Sequence, residues 1–237
     1  MRTLFTFSIV SHNQAILVNN LLEDLNNIKE RSFDVIVTSN ISENVPINQE
    51  HNFSFTLLNN EYPKGFGANH NQAFLHCKSD YFVILNPDIS IEELNMNSLI
   101  SHFQDKSIGI VAPTVVNPFG YVEDSVRDFP TPLNLLLRFL RLHKYTIPCN
   151  ISIVDWVAGM FILIKRDVFL KVNGFDDKRY YMYFEDVDLC KRVNKQGYSI
   201  LYDPTQKVIH DARRSSRKNI RHMYWHLSSM LRYFTNY

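Results

Sequence analysis

The sequence predicts an α/β fold: a mainly parallel, mixed sheet flanked by helices. Three observations predict it. Short β-rich runs alternate with helix-periodic segments through the first ninety residues, the pattern of a sheet with helices on both faces. The chain has 237 residues, enough for one large domain and too few for two comfortable ones. Its residues are 45% hydrophobic and 13% aromatic, a composition that supports a sizeable core and excludes global disorder.

In chain order, Leu4–Val10 reads as a first strand, followed by Ser11-His12-Asn13, which can cap a helix. Ile16, Leu17, Leu21, Leu22 and Leu25 then recur at helical spacing. Asp34–Ser39 and Phe53–Asn59 are the second and third strands. Lys64-Gly65-Phe66-Gly67 opens a short helix around Ala68–Cys77, and Tyr81–Asn86 is a fourth strand ending in Asn86-Pro87-Asp88. Ligands bind beyond the carboxyl ends of such strands, which directs attention to Ser11–Asn13, Ser39-Asn40 and Asn86–Asp88.

The second part is less regular. Gly109–Val116 and Met160–Ile164 read as strands, Leu133–Leu142 as a leucine-rich packing helix, and Asp186–Lys195 as a helix that stops at Gly197. With no internal repeat and no low-complexity linker, this part is expected to complete the same domain and form the far wall of its cleft.

The net charge of +1 gives no argument for a nucleic-acid partner. The distribution is uneven, because Arg213, Arg214, Arg217, Lys218, Arg221 and Arg232 face only Asp211 from His210 to the end. Such a tail either meets something anionic or is a solvated helix face, and both readings stand. Ile220, Met223, Tyr224, Leu227, Met230, Leu231 and Phe234 give it an amphipathic pattern suited to a membrane surface, to the domain or to a second copy. Cys77, Cys149 and Cys190 are odd in number and far apart, against a disulfide framework or structural zinc. The N-terminal apolar run is short for a signal peptide, and no stretch approaches the ~20 apolar residues of a membrane span. The expected location is the cytoplasm, in solution or at the inner face of the cell membrane.

Three constellations carry chemistry. In ILNPDI a strand stops at Asn-Pro-Asp, where Pro87 fixes the backbone and Asp88 offers a carboxylate outside the sheet. Mg²⁺ uses one or two carboxylates together with substrate phosphates, although an Asp after Pro is also an ordinary turn residue. In YMYFEDVD, Glu185, Asp186 and Asp188 open a helix; helix N-termini favour acids for their own sake, while an aromatic wall would raise a carboxyl pKa and make it a better base. In VIHDARRSS, His210 suits a metal, and the paired Arg213 and Arg214 suit a diphosphate. No GxGxxG, GxxxxGK[ST] or GxSxG pattern occurs, which removes the main support for dinucleotide use, P-loop phosphoryl transfer and a serine elbow.

Taken in order, FSIVSHN, PKGFGANHNQAF, YFVILNPDI, SVRDFPT, VDWVAGMFILIKRDVF, NGFDDKRYYMYFEDVDLCKRVNKQGY and VIHDARRSS resemble the family 2 glycosyltransferases of the GT-A fold. The match runs from Phe7 to Ser216 and is most similar to rhamnosyltransferase-like members that build bacterial surface polysaccharides. The resemblance implies a domain over 1–216, with a nucleotide-sugar-binding half (1–88) and an acceptor and catalytic half (89–216), and a basic amphipathic helix over 217–237. It implies a metal, Mg²⁺ or Mn²⁺, on Asp88 and His210, with Asp186 as the base that deprotonates the acceptor hydroxyl. Val10, Ser11, Asn40, Gly65, Gly67, Asn69, Asn86 and Arg213 fall on the nucleotide side, and Trp156, Gly159 and Glu185 on the acceptor side.

Three positions depart from the family pattern. Asn86 stands where many relatives carry the first Asp of the DXD motif, Ser39 where many carry an Asp that reads the base, and His12 where an aromatic is common. The implied reaction is an inverting transfer from a nucleotide diphosphate sugar to a saccharide acceptor, lipid-linked in this group, with no nucleic acid involved and oligomerisation left open. Two rivals predict other outcomes: a nucleotidyltransferase would release pyrophosphate, and a non-catalytic sugar- or nucleic-acid-binding module would bind without turnover.

Overall fold

The computed structural model describes residues 3–28, 32–41, 43, 51–92, 94–140, 142, 146–211 and 220–236. The first half runs β1 (Phe5–Ser11), α1 (Ala15–Asn27), β2 (Phe33–Ser39), β3 (Ser54–Asn59), α2 (Phe66–Phe74), β4 (Tyr81–Leu85) and β5 (Ile89–Ser90). After α3 (Met96–Ser101) come β6 (Ile108–Val116), β7 (Val126–Arg127), α4 (Pro132–Phe139), β8 (Ser152–Val154), β9 (Trp156–Val157) and β10 (Phe161–Lys165). The chain continues through α5 (Arg166–Lys171), α6 (Glu185–Lys195), β11 (Ser199–His210) and α7 (Ile220–Asn236).

The main sheet has the order β3-β2-β1-β4-β10-β6-β11-β5, with β8 on β11. β3, β2, β1 and β4 are parallel, in a register that sets Ser11 opposite Ser39 and Ser39 opposite Asn59. Their polar carboxyl ends therefore share one edge. β10 enters antiparallel between β4 and β6, and β11 lies parallel to β6. The sequence Phe-Ile-Leu-Ile of β10 is buried on both sides, which suits a central strand.

One core lies beneath α1, where Val18, Leu21, Leu22 and Leu25 meet Phe5, Phe7 and Val35. The second lies under α5, α6 and α7, where Phe169, Leu189, Val193 and Tyr233 meet Phe82, Ile162 and Ile164. Two expectations need correction. The apolar run before His210 in VIHDARRSS reads as a short strand, whereas β11 has 12 residues and is interrupted between Asp203 and Lys207. Pro204 sits in that irregularity, where its missing N–H does no harm. The leucine-rich segment expected only to pack leaves Leu133, Leu140 and Leu142 exposed. No helix among the described residues is long and apolar enough to cross a membrane.

Candidate active site

The described residues expected on the nucleotide side gather where the parallel strands end. The Asn40 amide N–H donates to the Ser11 carbonyl at 2.8 Å, and that of Asn60 to the Ser39 carbonyl at 3.0 Å, so each strand end is tied to the next loop. Asn40, Asn60 and Asn69 form a buried amide chain. Asn60 Nδ2 donates to Asn40 Oδ1 at 2.9 Å and to Asn69 Oδ1 at 2.7 Å. Lys64 N donates to Asn40 Oδ1, while Asn40 Nδ2 and Asn69 Nδ2 donate to the Lys64 and Gly65 carbonyls. The side chains of Asn40 and Asn69 are thus committed to holding the loop that opens α2. Ser11 is fully buried and its hydroxyl has no partner among the described residues; Val10 beside it is partly buried.

Asp88 and His210 are brought together by a two-residue ladder. β5 pairs antiparallel with the end of β11, setting Ile89 opposite His210, and Asp211 N donates to the Asp88 carbonyl at 3.0 Å. His210 Nε2 lies 3.3 Å from Asp88 Oδ2, and its Nδ1 is 2.6 Å from Glu123 Oε2. Burial disfavours charge on this ring, but the two flanking carboxylates outweigh it and raise the imidazole to about 9. Asp88 Oδ1 is buried without a partner among the described residues. An imidazole oriented through its far nitrogen by a carboxylate, beside an unengaged carboxylate oxygen, is a donor set that fits a divalent ion. Among the described residues no three His, Cys, Asp or Glu side chains cluster tightly enough to hold one by themselves. Phosphate oxygens would have to complete the coordination.

The Glu185 and Asp186 carboxylates stand at the start of α6, which follows two residues in left-handed conformation, Tyr183 (φ 71°) and Phe184 (φ 67°). Such backbone in bulky residues costs roughly 1–3 kcal/mol each and persists where the surroundings enforce it, often at functional sites. Asp186 Oδ2 accepts from Gly159 N at 3.0 Å and Oδ1 from Val187 N at 2.8 Å. Burial raises its pKa, opposed by those amides and by the Arg127 guanidinium. Glu185 is buried beside it, with Oε2 unpartnered among the described residues; burial, then the Asp186 charge, push it up to about 8. Two adjacent buried carboxyls share one proton most cheaply when the group with amide donors keeps the charge. That places the anion on Asp186 and the proton on Glu185. Asp188 has a structural task instead, accepting from Arg192 Nε at 2.7 Å within α6.

Gly65 and Gly67 let the two halves touch. A Cβ on Gly65 would stand 2.4 Å from the Tyr181 carbonyl oxygen, which accepts from Phe66 N at 3.0 Å. One on Gly67 would stand 2.6 Å from Phe175 Cβ. Gly159 in turn faces the Phe66 ring and Asp186 Cβ. The next residue, Met160, accepts from Asn86 N at 3.0 Å. The dipeptide Gly159-Met160 thereby joins the Asn86-Pro87-Asp88 turn to the Asp186 carboxylate.

A cavity of about 480 Å³ opens on Glu185 and Asp186, walled by Trp156, Phe129, Arg127 and His226 among others. Trp156 is fixed by its Nε1, which donates to the Asp128 carbonyl at 3.0 Å, with the Arg127 guanidinium 5.7 Å from its ring centre. A flat aromatic beside carboxylates and a cation suits a polyhydroxylated ligand. Of the residues expected at the site, Arg213 lies outside the described residues, as does its neighbour Arg214. Sequence reasoning did not single out Glu123, Arg127, Asn60, Tyr183 or His226. Arg127 and Tyr183 lie within the quoted stretches SVRDFPT and YMYFEDVD; the other three carried no signal.

This arrangement is that of an α/β fold with polar side chains gathered at the carboxyl edge of a parallel sheet and a cavity opening on two buried carboxyls. The glycosyl transferase family 2 model matches residues 6–170, and the chain belongs to that family of glycosyltransferases. It is 31% identical to rhamnosyltransferase WbbL of Escherichia coli (strain K12) over 95% of this chain and 90% of the relative. It is 29% identical to the N-acetylglucosaminyl-diphospho-decaprenol L-rhamnosyltransferase of Mycobacterium tuberculosis over 59% of this chain, and spans half that relative's length. Among solved structures, GalNAc-T7 with UDP, GalNAc and Mn²⁺ superposes with a TM-score of 0.69 at 16% identity, covering 90% of this chain and 44% of that one. The Pyrobaculum calidifontis mannosyltransferase PcManGT with GDP-Man and Mn²⁺ gives 0.67 at 16% identity, covering 98% and 65%. The GT-A fold expected from the resemblance is borne out.

Proposed function

We propose that the protein transfers a sugar, L-rhamnose first among candidates, from a nucleoside diphosphate donor to a hydroxyl of a lipid-linked saccharide, with inversion and with a divalent metal. The observation that carries this reading is the Gly159-Met160 link, which couples the Asp88 turn to the Asp186 carboxylate through two backbone hydrogen bonds. The sugar and acceptor follow the names of the rhamnosyltransferase relatives.

In this reading Val10, Ser11 and the loop held by Asn40 and Asn69 receive the nucleoside, with Gly65 and Gly67 seating that loop. Asn86 and Arg213 assist at the diphosphate. Asp88 and His210 would hold Mg²⁺ or Mn²⁺, which would supply positive charge opposite the leaving diphosphate. Asp186 takes the acceptor proton as the hydroxyl oxygen attacks the anomeric carbon and the bond to the diphosphate breaks. Glu185, keeping its proton at neutral pH, donates a hydrogen bond to the acceptor, and Trp156 stacks on its sugar face. Gly159 holds the base in place.

A panel of nucleotide sugars, each with Mg²⁺ or Mn²⁺ and a polyprenyl-diphosphate saccharide, tests this by following the released nucleotide. Acceptor-dependent nucleoside diphosphate, strongest with dTDP-rhamnose and next with UDP-hexoses, is expected. Pyrophosphate would make the protein a nucleotidyltransferase, and binding without release a non-catalytic module.

A further inference from the structure

Helix α7 has two faces of different chemistry. Its inner face holds the strained turn before α6. His222 Nδ1 is 2.8 Å from the Tyr183 hydroxyl, Ser229 Oγ donates to the Met182 carbonyl at 2.9 Å, and the Tyr233 ring packs on Phe184 at 5.5 Å. Met230 and Phe234, which the apolar pattern placed in one stripe with five others, also pack on the domain. His226 on the same helix lines the acceptor cavity. The outer face is what remains of the stripe. Ile220, Met223, Tyr224, Leu227 and Leu231 recur at i, i+3, i+4, i+7 and i+11, and are 79%, 59%, 65%, 49% and 63% exposed. Single exposed apolar residues are ordinary, but a continuous helical row of five marks a surface that meets something apolar.

We propose that this outer face rests on an anionic lipid surface, so that the acceptor cavity opens at the membrane; the inference builds on the lipid-linked acceptor proposed above. Charge selects the occupant. From residue 212 to the end the sequence carries six Arg or Lys and no Asp or Glu. A groove of about 460 Å³ beside the stripe is lined by Arg221, Arg232, Tyr224, Trp225 and Ser228, a setting for lipid phosphates with aromatic rings at headgroup level. A second copy fits less well, because a symmetric pairing would bring two like-charged tails together. On the cavity's wall, α4 contributes Asn134 and Leu135 and exposes a further leucine, Leu133. With no described helix able to span a bilayer, the contact is interfacial.

The full chain is sedimented with phosphatidylcholine vesicles with and without phosphatidylglycerol. Binding to the anionic vesicles alone, weakened by salt, is expected. The double variant Leu227→Glu/Leu231→Glu is expected to bind at least about ten-fold more weakly, with unchanged circular dichroism and melting temperature. Tyr224→Glu, a single change at an exposed position, is the second arm should the double variant fold poorly. Wild-type-like binding by a folded variant overturns the proposal, as does absence of wild-type binding. A dimer in sedimentation velocity that the variants dissociate would give the face to a second copy and overturn it too. None of these readouts requires sugar transfer, so they stand apart from the proposed reaction; a water-soluble acceptor should be used equally well by wild type and variants.

Discussion

The Gly159 amide donates to Asp186 Oδ2 at 3.0 Å, while the neighbouring Glu185 has a carboxyl oxygen with no partner among the described residues. Amide donors stabilise a carboxylate and unrelieved burial opposes one, so two adjacent acids acquire different protonation states.

The first prediction concerns Glu185. Its folded pKa, about 8, lies far above that of the unfolded chain. The folded state therefore binds the extra proton between roughly pH 4.5 and 8, and stability falls as pH rises through that window. Glu185→Gln removes the ionisation and should flatten the fall. Near pH 9 the variant should melt higher than wild type, by about 2–4 °C per kcal/mol recovered. Parallel pH–melting curves would count against a buried, protonated Glu185.

Gly65→Ala is predicted to be costly although the backbone at Gly65 is ordinary (φ −66°). The new methyl would meet the Tyr181 carbonyl at 2.4 Å, a main-chain atom that cannot swing aside. Overpacking of this kind costs typically 1–3 kcal/mol. Thermal denaturation should show a loss of several degrees, whereas Gly120→Ala, which meets nothing within 4 Å, should cost only its positive-φ strain.

His210 must surrender a proton to accept a metal. Since its imidazole is raised to about 9 between Asp88 and Glu123, Mn²⁺ uptake with nucleoside diphosphate at neutral pH should release about one proton. Calorimetry in buffers of different ionisation enthalpy reads this directly. Glu123→Gln should weaken the metal about 10–100-fold by loosening the ring, and His210→Gln should weaken it further. Buffer-independent heats would remove His210 from the metal.

Tyr183→Phe deletes the hydrogen bond to His222 Nδ1 and leaves the ring contacts. A loss of about 0.5–1.5 kcal/mol is expected. Because Tyr183 precedes the helix that carries Glu185 and Asp186, turnover should fall more than donor affinity. Unchanged kcat with an altered melting temperature would confine the bond to a structural role.

The parallel half of the sheet was legible because its strands are apolar runs ending in polar residues, and Ser11, Asn40 and Asn86 fall where that pattern puts them. The antiparallel entry of β10 was not, since Phe-Ile-Leu-Ile reads as a buried strand in either direction. Asp88, Asp186 and His210 were readable from motifs. Glu123 was not, because it reaches His210, 87 positions away, only through β6: Glu123 N donates to the Val115 carbonyl, and β6 pairs with the end of β11. Gly65 and Gly67 were placed on the nucleotide side, but the steric reason for them is the approach of Tyr181 and Phe175. The left-handed pair Tyr183-Phe184 gave no signal, because aromatic residues rarely adopt that backbone and only tertiary packing holds them there.

The most direct test is Asp186→Asn, measured for acceptor-dependent release of nucleoside diphosphate and, separately, for donor binding by calorimetry. General-base assistance is worth about 10²–10⁴ in rate. The variant should bind donor and Mn²⁺ like wild type and lose turnover by that factor, with its fold intact. Retention of more than about a tenth of wild-type turnover would fall outside that range and contradict the assignment of Asp186 as the base.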